Sequence, residues 1–138
     1  MDITFSADGL RFNDRAAAIL VCEGRLLVLR DDSCAYAYLP GGRVHAGETA
    51  EAAVLRELRE ELGIEARIER PLWVNQAFFT EQASRKRYHE LCFYYLIDFS
   101  KTDLLARSDS FEYLEGGNRR MRYVRHLPDS VQMLTNYD

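Results

Sequence analysis

With 138 residues, 47% of them apolar and 29% charged, the chain suits one domain around one hydrophobic core and is far from a disordered composition. Its formal charge of −4 argues against a polyanionic partner such as bulk DNA, although an acidic protein still takes a phosphate when cations bridge the two. No apolar run approaches the ~18 residues of a membrane span. Met1-Asp2-Ile3-Thr4-Phe5 lacks the cationic-then-apolar pattern of a signal peptide, so a cytoplasmic protein is expected.

The elements follow in order. Ile3–Phe5 and Leu10–Phe12 flank Asp8-Gly9, a pair suited to a hairpin turn. Ala16–Val21 and Arg25–Arg30 read as a second hairpin closed at Glu23-Gly24. A polar loop over Asp31–Ala37 leads through Tyr38-Leu39-Pro40 to Gly41-Gly42. Thr49 to Leu62 reads as the main helix, with Thr49 as N-cap, Glu51 in a first turn that favours anions, and Gly63 at the left-handed C-terminal position. After Pro71, Leu72–Phe79 and His89–Phe99 are strand-like, with Ser84-Arg85-Lys86-Arg87 as an exposed loop between them. Met121–Arg125 reads as a last strand and Pro128–Tyr137 as a terminal helix.

No repeat, low-complexity stretch or linker interrupts this pattern, so residues 1–138 are read as one domain with a mixed sheet and helices on its faces. Cys22, Cys34 and Cys92 are odd in number and form no CxxC pair. They read as small hydrophobes in a reducing compartment rather than as a disulfide or zinc site.

The informative stretch is GRVHAGETAEAAVLRELREELGI, Gly42 to Ile64. At ~100° per residue, Leu55, Leu58 and Leu62 fall in one sector, the expected core face, and Glu57, Glu60 and Glu61 in the neighbouring one. Two carboxylates ~5 Å apart repel by about 1 kcal/mol in water and about 3 kcal/mol at an effective dielectric near 20. An Arg56–Glu60 pair returns only a few tenths of a kcal/mol. Divalent cations would make sense of the cluster, and hard oxygen ligands suit Mg²⁺ or Mn²⁺ bridging to phosphates.

A helix rich in Arg and Glu is also an ordinary solvated face. The flanking residues distinguish the two. The segment resembles the Nudix box: Gly, five residues, Glu, seven residues, then Arg-Glu-hydrophobic-any-Glu-Glu-any-Gly-hydrophobic. Gly42, Glu48, Arg56, Glu57, Leu58, Glu60, Glu61, Gly63 and Ile64 match all nine positions. At ~7% frequency for each of the seven fixed residues, a chance match in this chain is about 10⁻⁷.

The resemblance implies an α+β fold, a Nudix-type α/β/α sandwich with a mixed β-sheet, in which the box forms a loop–helix–loop. It implies Glu57, Glu60 and Glu61 as metal ligands, joined by the Gly41 carbonyl, with Arg56 and Glu48 pairing to orient them. It also implies a metal-dependent hydrolase that cleaves the pyrophosphate of a nucleoside diphosphate derivative, and makes a homodimer an expectation. A metal-activated water would attack one phosphorus. The general base is open between Glu60, Glu61 and Glu90, a carboxylate interrupting an apolar strand, with Glu112 and Glu115 as weaker candidates.

Substrate contacts are less legible. Gly41 and Gly42 permit close backbone approach to phosphate oxygens. Tyr36, Tyr38, Phe78, Phe79 and Tyr88 offer stacking surfaces, although a strand aromatic is more often core. Arg30 or the Arg85-Lys86-Arg87 loop could hold phosphates, and His45 and His126 have no evident partner. Thr80 to Gln82 lack the Pro or Tyr that marks some subfamilies acting on ADP-ribose or dinucleoside polyphosphates, which tilts the expectation toward a nucleoside triphosphate. The alternative is a nucleotide-sensing domain without turnover. Retention of every box carboxylate disfavours it.

Overall fold

A computed structural model describes residues 1–31, 38–106, 110–113 and 119–124, with side chains described for residues 1–29, 38–104 and 106. Cys34, Tyr36, Glu115, His126 and the expected terminal helix lie outside the described residues.

Among the described residues there are two sheets and one α-helix. The first is mixed: β1 (Thr4–Ala7), β2 (Leu10–Ile19), β7 (Arg87–Asp98) and β6 (Arg67–Thr80) follow in that spatial order, and β5 (Gly41–Arg43) pairs with β2. The β2–β7 pair is parallel, and every other pair in this sheet is antiparallel. The second sheet is antiparallel, in the order β3 (Val21–Cys22), β4 (Arg25–Asp31), β9 (Arg119–Val124) and β8 (Ser110–Tyr113).

Both turns form where expected. Asp8 and Gly9 take φ of 51° and 76°, and Glu23 and Gly24 take 51° and 73°, the positive values that a two-residue turn on right-twisted strands requires. One expectation is corrected. Leu10–Phe12 and Ala16–Val21 are not separate strands in two hairpins; β2 runs unbroken through Asn13-Asp14-Arg15 and ends at Ile19, and Val21-Cys22 begins the second sheet. The polar stretch continues as strand because Asn13 is satisfied by its neighbours, Thr4 and Glu90.

Pro71 likewise lies inside β6 rather than before it. Among the described residues β6 is the sheet's outer strand, where a missing N–H is tolerated, and register shifts occur at Ile68/Arg70 and Pro71/Trp73. Glu112 falls in β8.

Helix α1 (Ala50–Leu62) has the expected caps. Thr49 accepts from the Ala52 N–H at 3.0 Å, and Gly63, at φ 66°, donates to the Arg59 carbonyl at 3.0 Å. Glu51 in the first turn accepts from the Tyr95 hydroxyl at 2.5 Å.

The helix packs on the mixed sheet through Ala53, Val54, Leu58 and Leu62, against Ala16 and Ala18 of β2 and Tyr95 and Ile97 of β7. Leu55, expected at the centre of this face, is only half-buried, and Glu61 takes a place in it. On the opposite face of the sheet Ala17, Cys92 and Tyr94 pack against Val28 and Leu39. Cys92 is buried there, whereas Cys22 is half-buried rather than fully enclosed. No described helix is long and apolar enough to cross a membrane.

Candidate active site

The site begins at a pair of glycines. β5 lies beside β2, with Gly41 opposite Ala17 and Gly42 opposite Ala16, and α1 crosses above them. A side chain at Gly42 would run into the Glu57 carboxyl group, its Cβ falling 2.6 Å from the carboxyl carbon. At Gly41, φ is 149° and a Cβ would lie 2.8 Å from the Ala17 Cα. Both positions are glycine because backbone and helix carboxylates meet too closely for anything larger.

Glu61, only 1% exposed, accepts from the Gly41 N–H at 2.8 Å through Oε1. Burying a carboxylate is costly without such donors. The helical sector containing Leu58 and Leu62 therefore delivers Glu61 to the glycine strand, with Glu57 one turn earlier, while Glu60 is exposed.

Arg56 ties the carboxylates together. Its Nε and Nη2 donate to the two Glu48 oxygens at 2.8 and 3.1 Å, the bidentate fork that a guanidinium offers. Nη2 also donates to the Arg43 carbonyl at 3.0 Å, and Nη1 to Glu57 at 3.0 Å and to Glu60 at 3.3 Å. Glu48 further accepts from the His45 N–H at 2.9 Å. The Arg56 hydrogen bonds hold the Glu48 carboxyl at about 2, and the same contacts raise the Arg56 guanidinium above its ordinary value. Arg56 thus joins the loop before the helix, strand β5 and two helix carboxylates. Among the described residues no group of three or more His, Cys, Asp or Glu side chains is gathered closely enough to hold a metal ion.

Glu90 is elsewhere. It faces away from α1, on the side of the sheet that carries Cys92 and Tyr94. Its Oε2 accepts from Asn13 Nδ2 at 2.7 Å, and its Oε1 lies 3.9 Å from Arg15 Nε. His45, without an evident partner in sequence, has its Nε2 3.2 Å from Asp2.

The proposed substrate residues scatter. Tyr38 is half-buried against the main core, its backbone paired with Leu29. Phe78 is exposed and lies tilted against His89, the end of an aromatic row Phe5–Phe12–His89–Phe78 across four strands. Phe79 stacks on Tyr88, and the Arg30 side chain lies outside the described residues. A shallow apolar groove of about 250 Å³ runs along Pro71–Val74 and Phe93–Tyr95.

Sequence reasoning missed Asp14 as well. Its Oδ1 is buried without a hydrogen-bond partner, and desolvation raises its pKa. The polar stretch Asn13-Asp14-Arg15 gave no signal in sequence of which member would be buried.

Comparison with known proteins places this geometry. A comparison with curated proteins found no match. Among solved structures, the chain is similar to a MutT NUDIX hydrolase from Burkholderia pseudomallei, at 23% identity and a TM-score of 0.57 over 90% of this chain and 92% of that one. It is similar to a NUDIX hydrolase from Nitrosomonas europaea at 19% identity and 0.58, covering 88% and 81%. It is also similar to a UDP-X diphosphatase at 21% identity and 0.57, covering 96% of this chain but only 57% of that longer one. At such identities these likenesses establish the fold. The family profile described as NUDIX domain matches residues 12–116, well over half of the chain. With an unbroken box inside that match and its glycines and glutamates in contact, the chain belongs to the Nudix family, whose general chemistry is hydrolysis of a pyrophosphate bond.

Proposed function

We propose that this chain is a divalent-metal-dependent pyrophosphohydrolase acting on a nucleoside diphosphate linked to a further group, a nucleoside triphosphate before a nucleotide sugar. The observation that carries this reading is the closure of Glu57 and Glu61 onto the Gly41-Gly42 backbone. Carboxylates brought against a side-chain-free strand form a hard-oxygen cradle, and the space a Cβ would fill at Gly42 is occupied by one of them. The donor set suits Mg²⁺ or Mn²⁺, which Glu57, Glu61 and the Gly41 carbonyl would hold, with Glu60, now paired with Arg56, turning in to join them.

When bound, such a cation lowers the pKa of a water and offsets charge on the departing phosphate. The remaining work belongs to the chain's own residues. Arg56 and Glu48 fix the helix against β5, so that the carboxylates stay in place as the ligand arrives. The space beside Gly41 and Gly42 is taken by the β2 backbone and the Glu57 carboxyl group rather than left for phosphate oxygens. Glu60, the exposed member, can take a proton from the attacking water, while Glu90 is engaged with Asn13 on the other face. In the step itself the water oxygen bonds to phosphorus, the bridging oxygen leaves with its phosphate, and the proton passes to the base.

A cytoplasmic site of action accords with a nucleotide substrate and with the free Cys22 and Cys92. The homodimer remains part of the proposal, tested by light scattering. The deciding experiment is purified protein with Mg²⁺ or Mn²⁺ and a panel of nucleoside triphosphates and nucleotide sugars. Release of nucleoside monophosphate that stops on chelation is expected. No release from any member with either metal would overturn the reading in favour of a nucleotide-binding module.

A further inference from the structure

A line of rings crosses one face of the mixed sheet. Phe5 of β1, Phe12 of β2, His89 of β7 and Phe78 of β6 are direct cross-strand partners, so their side chains project to the same side. Successive ring centroids lie 5.0, 5.4 and 4.4 Å apart. The side is the one on which α1 packs, because Phe12 alternates in step with Ala16 and Ala18 along β2.

The helix stops short of this row. It packs over Ala16, Ala18, Tyr95 and Ile97, and Phe12 precedes Ala16 by about 13 Å of strand at ~3.3 Å per residue. Phe5 and Phe78, at the two ends, are 51% and 52% exposed, and Phe12 and His89 between them are half-buried. Exposed apolar side chains scattered singly need no explanation, but rings aligned in register across four strands form a contact surface.

Cations border the row. Arg87 stands two residues before His89 on the same face of β7, between Leu10 and Thr80 of the adjacent strands. Arg85 and Lys86 precede it in a turn of fixed shape, where the Arg85 N–H donates to the Glu81 carbonyl at 2.7 Å and the Glu81 N–H to the Lys86 carbonyl at 2.8 Å. All three side chains are exposed, and among the described residues none of them pairs with a carboxylate. The nearby acids are occupied or set apart: Glu81 receives the Ser84 hydroxyl, Asp8 forms the β1–β2 turn, and Asp14, two residues inward of Phe12, buries one oxygen. This end of the sheet is basic in a chain whose formal charge is −4.

A ligand that uses both features has flat faces spaced along a negatively charged backbone. Single-stranded nucleic acid has both. Rings on a four-stranded sheet stack two or three bases, with little regard to sequence, while cations alongside meet the phosphates. A duplex keeps its base faces covered. An apolar peptide would leave the cations without a partner, and a second copy of the chain would bring its own cations to the contact.

We propose that this face binds a short single-stranded oligonucleotide, with bases stacked on the Phe5–Phe12–His89–Phe78 row and phosphates met by Arg87 and the Arg85-Lys86 turn. The platform is separate from the glycine strand and does not depend on the hydrolase reading. A contact two or three nucleotides long is compatible with the acidic net charge that weighs against bulk DNA.

The test is fluorescence anisotropy of labelled uridine and thymidine hexamers with the protein in the presence of a chelator. The hexamers carry hydroxyl ends and so no pyrophosphate to cut. Binding at about 1–100 µM is expected, and a hairpin duplex should bind at least about fivefold more weakly. Phe5→Ala and Phe78→Ala should each weaken binding by about fivefold or more, as the loss of one stacked base does. Phe78→Trp should keep the wild-type affinity, whereas Phe78→Leu, apolar but without a π-face, should not. Arg87→Gln should lower the slope of log affinity against log salt by about 0.7, the value for one phosphate of a single strand. Trp73→Ala, on the opposite face beside Tyr94, should change affinity by less than about twofold.

No binding of either hexamer would overturn the platform. So would a Phe78→Leu variant that binds as well as the wild type, or a Trp73→Ala loss equal to that of Phe78→Ala. A dimer seen by light scattering that Phe78→Ala dissolves, with no hexamer bound, would make the row an interface between copies instead. The His89 ring C–H signals, followed by NMR during the hexamer titration, should move; binding without that movement would place the oligonucleotide elsewhere and sink the proposal.

Discussion

Arg56 holds Glu48 through two hydrogen bonds, 2.8 and 3.1 Å long, that tie the second turn of α1 to the loop leading into it. Both side chains are 16% exposed, so water screens the pair only in part. The remaining donors of Arg56 reach β5 and two helix carboxylates. One guanidinium therefore sets the position of the helix relative to the glycine strand.

The pair makes the wild type acid-sensitive, and removing Glu48 should take that sensitivity away. The Glu48 carboxyl is held at about 2, against an ordinary value of 4.5. Because the folded value is the lower one, this group's stabilisation is complete above about 4.5 and is lost as pH falls toward 2. Glu48→Gln should cost about 1–3 kcal/mol at pH 7, the range for leaving a charged donor without its partner. Urea midpoints at pH 7 and pH 3 check this: the gap between wild type and variant should narrow by about half at the lower pH. A constant gap would refute the assignment.

Gly42→Ala should hurt both folding and turnover. Its Cβ would overlap the Glu57 carboxyl group, which must swing aside, at an expected cost of about 1–3 kcal/mol. Thermal unfolding measures the first effect. A variant as stable and as active as the wild type would show that Glu57 has no fixed place.

Glu61→Gln separates chemistry from architecture. The amide oxygen can still accept from the Gly41 N–H, so the melting temperature should move little. Turnover should fall by about 100-fold or more, beyond what an outer supporting residue gives. Glu90→Gln, on the other face, should leave kcat nearly unchanged. Equal losses of kcat in the two variants would return Glu90 to the chemistry.

Thr49→Ala tests the helix start by itself. It removes the side-chain acceptor of the Ala52 N–H and should destabilise by about 1 kcal/mol. Thr49→Ser should recover most of that in the same denaturation assay.

How much of this was written in the chain varies by element. Thr49, Gly63, Asp8-Gly9 and Glu23-Gly24 act locally, through capping and positive φ, and local rules read them. The box placed the carboxylates on α1, but periodicity alone drew its core sector one residue off, through Leu55 instead of Val54. The difference arises because β5 lies beside the helix and draws Glu61 inward, a tertiary effect. Asn13, Arg15 and Asp14 were illegible for the same reason: each takes its meaning from β7, β5 or β1, distant in sequence. Pro71 misled because a strand at a sheet's border tolerates what a central one does not.

That border has a consequence for how molecules of this chain behave in a crowd. Fourteen residues long and carrying Trp73, Val74 and Phe78 in the open, β6 would be an inviting template for another copy's backbone if it were flat and regular. The proline and the two slips in register spoil the even spacing of its backbone amides and carbonyls, so a long neighbour cannot zip evenly along it. The irregularity thus works as a safeguard against fibrous self-association. Pro71→Val, by straightening the run, should raise light scattering on prolonged incubation while leaving catalysis intact.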